Sequence, residues 1–171
     1  MQTIEKSIEV NAPINTVYNQ WTQFEEFPNF MEGIEEVQQQ GETKLHWKAK
    51  IAGKTKEWDA EILEQQPDQR IAWQSTTGAR NSGRVNFFPL GVSATRITLT
   101  LNYEPEGVVE KMGDAVGVVS TRVEGDLKRF KEFIESRGQE TGGWRGEIGR
   151  GQAKTEAEPR SKRLHSDEYK L

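Results

Sequence analysis

Cysteine is absent from this sequence of 171 residues, and histidine occurs only twice. The absence of cysteine excludes a disulfide framework, a thiolate zinc site and a cysteine nucleophile. His46 falls on the charged side of an alternating pattern, and His165 lies in a polar C-terminal stretch. Because neither position points to a histidine in an apolar interior, we expect no histidine general base, no catalytic triad and no metal site.

Long apolar runs are also missing, and the mean hydropathy is −0.81. No run approaches the roughly eighteen residues that a membrane-spanning helix requires. The first residues, MQTIEKSIEV, alternate apolar and polar side chains and include two glutamates, unlike a signal or transit peptide. We therefore expect a soluble, cytoplasmic protein without an integral membrane segment, while transient contact with a membrane stays open.

The sequence also lacks a concentrated cluster of basic residues. The formal net charge is −4 and the sequence pI is about 5.4. Proteins that bind nucleic acid carry clustered lysine and arginine against the phosphate backbone. We therefore set nucleic acid aside as a partner.

Aromatic residues, by contrast, are concentrated in the stretch WTQFEEFPNFMEGIEEV, residues 21–37. The apolar side chains recur at helical spacing, but Pro28 interrupts any single helix, which predicts two short helical pieces with a bend. Such pieces are too short to be stable alone and must pack on something larger. The apolar residues concerned are Trp21, Phe24, Phe27, Phe30 and Met31.

Alternating patterns occupy most of the first hundred residues. Ile4, Ile8 and Val10 indicate a first strand before the aromatic stretch, and further strands follow at intervals of about ten residues up to Tyr103. In TKLHWKAKI the outward side chains are basic, whereas in KEWDAEILE they are acidic. Opposite charges pair across neighbouring strands, so these two segments predict an antiparallel hairpin.

The apolar period changes to three or four residues between 106 and 137, which predicts one long amphipathic helix ending before Gly138. Gly113, Gly117 and Gly125 interrupt it at a helical cost of up to about 1 kcal/mol each. They either allow close packing on the sheet or leave space for a ligand. The whole order of elements predicts a two-layer α+β protein.

Residues 139–171 show no period and combine glycine with mixed charge. We interpret them as a polar tail that is disordered or loosely attached to a domain spanning residues 1–138. Trp144 and Ile148 are the tail residues that could dock on the body or on a protein partner.

Three stretches carry a resemblance to a known family: IEVNAPINTVYNQWTQFEEFPNFMEGIEEV, WDAEILEQQPDQRIAWQS and GRVNFFPLGVSATRITLTLNYEPEG. Together with the long helix, they resemble the polyketide cyclase/dehydrase branch of the START-like (SRPBCC) superfamily, over about residues 1–138. The resemblance implies a helix-grip fold, in which a curved antiparallel sheet of about seven strands wraps the long helix and encloses a pocket. Members include aromatase/cyclases, coenzyme Q chaperones and lipid carriers, and the branch is common in bacteria.

The resemblance turns the inward-facing residues into candidate pocket residues. These are Trp47, Ala49, Trp58, Ala60, Trp73, Ser75, Phe87, Leu99, Tyr103, Met112, Val116 and Gly117. It also implies an apolar rim at the pocket mouth, made by Phe24, Phe27, Phe30 and Met31, although the same residue types would equally close the end of a core. No catalytic residue carries over, because no polar motif matches position by position.

Three functions remain open at this point. The first is a carrier or chaperone of an apolar or aromatic small molecule such as a lipid, quinone or isoprenoid, without a cofactor. The second is a cyclase or dehydratase of a poly-β-keto chain, in which Ser75, Thr77 and Tyr103 would orient the ligand. The third is an interaction protein with a collapsed pocket. Arg80, Arg84 and Arg96 could reach a pocket mouth but fit the surface equally well.

Overall fold

The computed structural model describes residues 2–51, 53–104 and 115–154. Its helical elements are α1 (Ile14–Trp21), a 3-10 helix (Phe24–Asn29) and the long helix α2 (Ala115–Arg137). The main strands are β1 (Gln2–Val10), β2 (Ile34–Gln39), β3 (Lys44–Ile51), β4 (Lys54–Gln66), β5 (Arg70–Ser75), β6 (Asn81–Gly91) and β7 (Ala94–Tyr103). Two short strands follow α2, namely β8 (Ile148–Gly149) and β9 (Gln152–Ala153).

The main strands form one antiparallel sheet in the order β1-β7-β6-β5-β4-β3-β2. Neighbours in sequence are joined by hairpins, except that β1 pairs with the last main strand, β7. Register shifts in β2, β4 and β6 bend these strands, as bulges do. The sheet curves around the long helix, which confirms the predicted helix-grip architecture.

Strands β3 and β4 form the predicted antiparallel hairpin, with the basic side chains opposite the acidic ones. Lys44 lies opposite Glu61, His46 opposite Asp59 and Lys48 opposite Glu57. Since directly paired residues in antiparallel strands point to the same face, all six side chains lie on the outer face of the sheet. The other face of both strands therefore points toward α2.

The aromatic stretch does form two short pieces, but the chain leaves the first helix before Pro28. Gln23 takes a non-helical conformation, and the Thr22 hydroxyl donates to the Asn19 carbonyl oxygen at 2.6 Å. Pro28 is then accommodated inside the 3-10 helix. The three phenylalanines of this stretch lie in the buried core, in ring contact with one another and with Phe130 of α2.

Helix α2 supplies the other layer of the core. Val123, Leu127, Phe130 and Ile134 are buried against the sheet, one turn apart. Gly138 ends the helix as predicted, with φ of +76° and an N–H that donates to the Ile134 carbonyl. The predicted first turns of this helix, residues 106–114, lie outside the described residues.

The segment after α2 corrects the predicted domain boundary at 138. Trp144 is only 5% exposed and Ile148 only 1% exposed, and both belong to the main core cluster. Ile148 extends the sheet by pairing with Gln65 of β4. Residues 139–154 are thus packed on the body rather than loosely attached, and 155–171 lie outside the described residues.

Candidate functional site

The inner face of the sheet divides into two parts by burial. In one part Leu45, Ile62, Ile71, Val85, Phe87 and Ile97 are buried with the aromatic stretch and α2. In the other part the side chains are only half-buried, although the register places them on the same face. We call this second part the inner patch: Trp47, Trp58, Trp73, Ser75, Leu101 and Tyr103.

Two tryptophans form the centre of the inner patch. Trp47 of β3 lies directly opposite Trp58 of β4, and their rings stack with centroids 5.8 Å apart and an interplanar angle of 5°. Phe27 contacts the Trp47 ring, with the centroids 5.7 Å apart. The indole N–H of Trp47 is buried without a hydrogen-bond partner in the described structure. An unsatisfied buried donor costs about 1–3 kcal/mol, so this group favours an acceptor brought by a ligand.

Trp73 completes the apolar surface of the inner patch through a glycine on the next strand. Gly83 pairs with Trp73, and a Cβ atom built on Gly83 would lie 2.7 Å from Trp73 Cζ2 and 2.5 Å from the Thr100 carbonyl oxygen. A side chain at position 83 would therefore displace the indole. The glycine allows the Trp73 ring to lie flat against the sheet.

The structure brings five predicted pocket residues together in the inner patch: Trp47, Trp58, Trp73, Ser75 and Tyr103. Ala49, Ala60, Phe87 and Leu99 are instead buried in the core. Gly117 is exposed in α2. Met112 lies outside the described residues, and Val116 is described only in its backbone.

The predicted rim is mostly core. Phe24, Phe27 and Phe30 are 5%, 3% and 2% exposed, which corrects the expectation of a semi-exposed entrance, whereas Met31 is half-buried. Two contacts hold α2 against this stretch: Arg129 Nε donates to the Phe30 carbonyl at 2.9 Å, and the Glu32 N–H donates to Asp126 Oδ1 at 3.0 Å. Burial raises the pKa of the Asp126 carboxyl, an effect that the Arg129 hydrogen bond opposes.

The polar residues considered for orienting a ligand have structural partners. Ser75 Oγ accepts from the Asn81 N–H at 3.1 Å in the β5–β6 connection. Thr77 was expected to face inward, but it is exposed and its hydroxyl donates to Asp59 Oδ2 on the outer face. Arg80 and Arg96 form exposed ion pairs with Glu104 and Glu9, and Arg84 is exposed, as the surface interpretation required.

His46 lies on the outer face, as predicted. Its Nδ1 is 2.7 Å from Asp59 Oδ1 and its Nε2 is 3.0 Å from Glu57 Oε1. The hydrogen bond to Asp59, followed by that to Glu57, raises the pKa of His46 above 6.5. The cluster lies on the face of the hairpin opposite to the inner patch.

A tyrosine–arginine pair lies where the C-terminal segment packs on α1. The Arg145 guanidinium lies 5.6 Å from the Tyr18 ring centroid and bonds Asp68 Oδ2 at 2.7 Å and Asn19 Oδ1 at 2.8 Å. Burial raises the pKa of the Tyr18 phenol far above its ordinary value. These contacts anchor the C-terminal segment, so the pair serves the fold rather than the inner patch.

Sequence reasoning missed Lys56. It is half-buried between the exposed Thr55 and Glu57, and it pairs with the fully buried Ala49 on the inner face. The signal was present in the sequence, because 56 has the same parity as the inward positions 58, 60 and 62.

The described ranges contain no group of three or more histidine, aspartate or glutamate side chains that could hold a metal ion. No helix in these ranges is long and apolar enough to cross a bilayer.

Comparison with known proteins gives matches in sequence and in structure. The family model described as "Polyketide cyclase / dehydrase and lipid transport" matches residues 10–132. An uncharacterized 17.2 kDa protein of Streptomyces lincolnensis is 50% identical over 149 residues, which are 86% of this chain and 99% of the relative.

Solved structures share the fold at lower identity. An aromatase/cyclase, Zhui, from Streptomyces sp. R1128 superposes with a TM-score of 0.69 at 20% identity, over 83% of this chain and 98% of its own. A START superfamily protein from Mycobacterium smegmatis gives a TM-score of 0.61 at 18% identity, over 79% of this chain and 96% of its own. At these identities the likeness concerns the fold.

Proposed function

Because the chain belongs to the polyketide cyclase/dehydrase and lipid transport family, we propose that it binds an apolar or aromatic small molecule between the sheet and the long helix, as a carrier or chaperone. Family and fold both fit a binder of hydrophobic ligands or a polyketide cyclase-like protein. The finer choice of carriage over catalysis is our inference from the residues of the inner patch.

The half-buried tryptophans are the observation that carries the proposal. Burying tryptophan contributes strongly to stability, yet Trp47, Trp58 and Trp73 remain half-buried while smaller residues on the same face are fully buried. Flat aromatic walls with a few polar groups are typical of small-molecule sites. We propose that a lipid, quinone, isoprenoid or polyketide-like ligand lies against them.

Catalysis is the second candidate and is favoured by the shared fold with an aromatase/cyclase. Proton transfer to a poly-β-keto chain would need an acid or base within hydrogen-bond reach of the substrate. The six side chains of the inner patch include no histidine and no carboxylate. For that reason we rank a cyclase or dehydratase activity second, after the function of a ligand carrier.

A dye titration tests the proposal. The uncharged probe N-phenyl-1-naphthylamine should bind saturably, and Trp58→Ala should weaken it about tenfold, since losing an aromatic contact of roughly 1.5 kcal/mol corresponds to that factor. Phe88→Ala is the control, because Phe88 is 49% exposed on the outer face. Absence of saturable binding, or equal loss in both variants, would overturn the proposal. Displacement of the dye by a fatty acid, a quinone and an isoprenoid alcohol would then rank the ligand classes.

A further inference from the structure

The indole N–H of Trp47 lies among side chains that offer it no acceptor. It is buried and has no hydrogen-bond partner among the residues that the structure describes. Trp47 lies directly opposite Val37 of β2 on one side and Trp58 of β4 on the other. Its two cross-strand neighbours therefore present an alkyl group and a second indole, which donates but does not accept.

The neighbours of Trp47 along its own strand and above the sheet are also apolar. Leu45 and Ala49 share the inner face with Trp47, because side chains alternate along a strand, and both are buried. Phe27 of the 3-10 helix contacts the Trp47 ring, with the centroids 5.7 Å apart. None of these side chains, nor the two cross-strand neighbours, carries an oxygen or nitrogen that could accept the indole proton.

These surroundings restrict the ligand group that can satisfy the N–H. A hydroxyl group would bring a donor of its own that these neighbours cannot accept, and a carboxylate would place a charge among apolar side chains. A carbonyl oxygen accepts, donates nothing and carries no net charge. We infer that the ligand is a flat aromatic molecule with a ketone or quinone carbonyl, which accepts from Trp47 Nε1 while its ring lies against the stacked indoles of Trp47 and Trp58. This inference rests on the proposed function and narrows its ligand, with Trp47 as a specificity-determining residue.

The test compares 2-acetylnaphthalene with 2-isopropenylnaphthalene, which have the same ring and nearly the same shape but carry a C=O and a C=CH2 group, respectively. Both are measured by displacement of N-phenyl-1-naphthylamine. Trp47→Phe keeps an aromatic ring at this position and removes the donor. We expect the ratio of ketone affinity to alkene affinity to fall at least about fivefold in this variant, because the carbonyl is then buried without a partner. The ratio cancels any loss of ring contact that the two compounds share.

Trp58→Phe is the matched control, because it makes the same substitution in the other ring of the stack. It should weaken both compounds alike and leave the affinity ratio within about twofold of the wild-type value, since both lose the same aromatic contact. An unchanged ratio in Trp47→Phe, or an equal fall in both variants, would overturn the inference.

Infrared spectroscopy of the wild-type complex needs no variant and stands even if one fails to fold. The C=O stretch of bound, isotope-labelled 2-acetylnaphthalene should lie at a lower wavenumber than in hexane, because a hydrogen bond weakens the C=O bond. If the dye binds saturably but the ketone fails to displace it, or binds with the C=O frequency seen in hexane, the inference fails and the proposed function survives. If the dye does not bind, both fail together.

Discussion

The packed C-terminal segment makes a quantitative prediction about Trp144. Its side chain is 5% exposed and lies within the main core cluster. Replacing a buried tryptophan by alanine costs about 3–5 kcal/mol through lost transfer energy and the cavity left behind. In a protein of this size that corresponds to a fall in melting temperature of roughly 6–20 °C.

Stopping the chain after Gly138 should cost more than the single substitution. Ile148 would be lost as well, and removing a fully buried isoleucine carries about 2–5 kcal/mol. Gln20, which is fully buried, would also lose its two hydrogen bonds to Thr141. Each lost hydrogen bond contributes about 0.5–1.5 kcal/mol to stability. The total approaches the whole stability of an ordinary domain, about 5–15 kcal/mol.

Urea unfolding followed by far-ultraviolet circular dichroism measures both effects. The 1–138 chain should unfold at a much lower urea concentration than the full chain or fail to give a cooperative transition, and Trp144→Ala should lie between them. Gln152→Ala, an exposed position in the same segment, is the control. A 1–138 chain with an unchanged midpoint and slope would refute the packing argument and restore the boundary at 138.

Three further predictions concern the sheet and its two faces. Gly83→Val should destabilise the fold by about 1–3 kcal/mol in urea titrations and should alter the near-ultraviolet circular dichroism of tryptophan. Gly91→Val is the control, because no atom lies within 4 Å of its Cβ position, and it should change the tryptophan signal little. Phe27→Ala should lower the unfolding free energy by about 3–5 kcal/mol, as expected of a residue 3% exposed; a loss below about 1 kcal/mol would return it to a rim. His46 has a pKa raised by its hydrogen bond to Asp59, so its contribution to stability is complete below about pH 6.5 and is lost as the pH rises through its folded-state pKa. His46→Gln should therefore flatten the dependence of the urea midpoint on pH above 6.5, and an unchanged slope there would contradict the pairing.

Period and charge in the sequence were sufficient to predict most of the fold. The alternation in β3 and β4 determined which side chains face α2, and the basic and acidic outer rows determined that the two strands pair. Both signals are local, because successive side chains of a strand point to opposite faces and opposite charges attract across neighbouring strands. The same holds for Gly138, whose backbone conformation ends the long helix.

The degree to which each side chain is buried could not be predicted from these local patterns. A phenylalanine at position 27 would suit a pocket rim as well as a core. Its ring contacts with Trp21, Phe30 and Trp47, which the sequence does not show, place it in the core. The burial of Trp144 could not be predicted, because the residues around it in sequence are glycine-rich and charged. Its neighbour Arg145 bonds Asp68, which is far away in sequence. Such contacts depend on two distant segments at once, which no periodic pattern in one segment reveals.

The buried core and the proposed ligand site occupy adjacent parts of one face, and the aromatic stretch contacts both. Phe30 packs against Phe130 of α2 on one side, while Phe27 contacts Trp47 on the other. Because protein interiors are close-packed, this contact fixes one edge of the tryptophan stack before any ligand arrives. A preorganised wall avoids the entropy of ordering side chains on binding, which costs about 0.5–1.5 kcal/mol for each immobilised side chain. We therefore propose that the aromatic stretch supports ligand binding from within the core, because it holds in place the tryptophan wall of the proposed site.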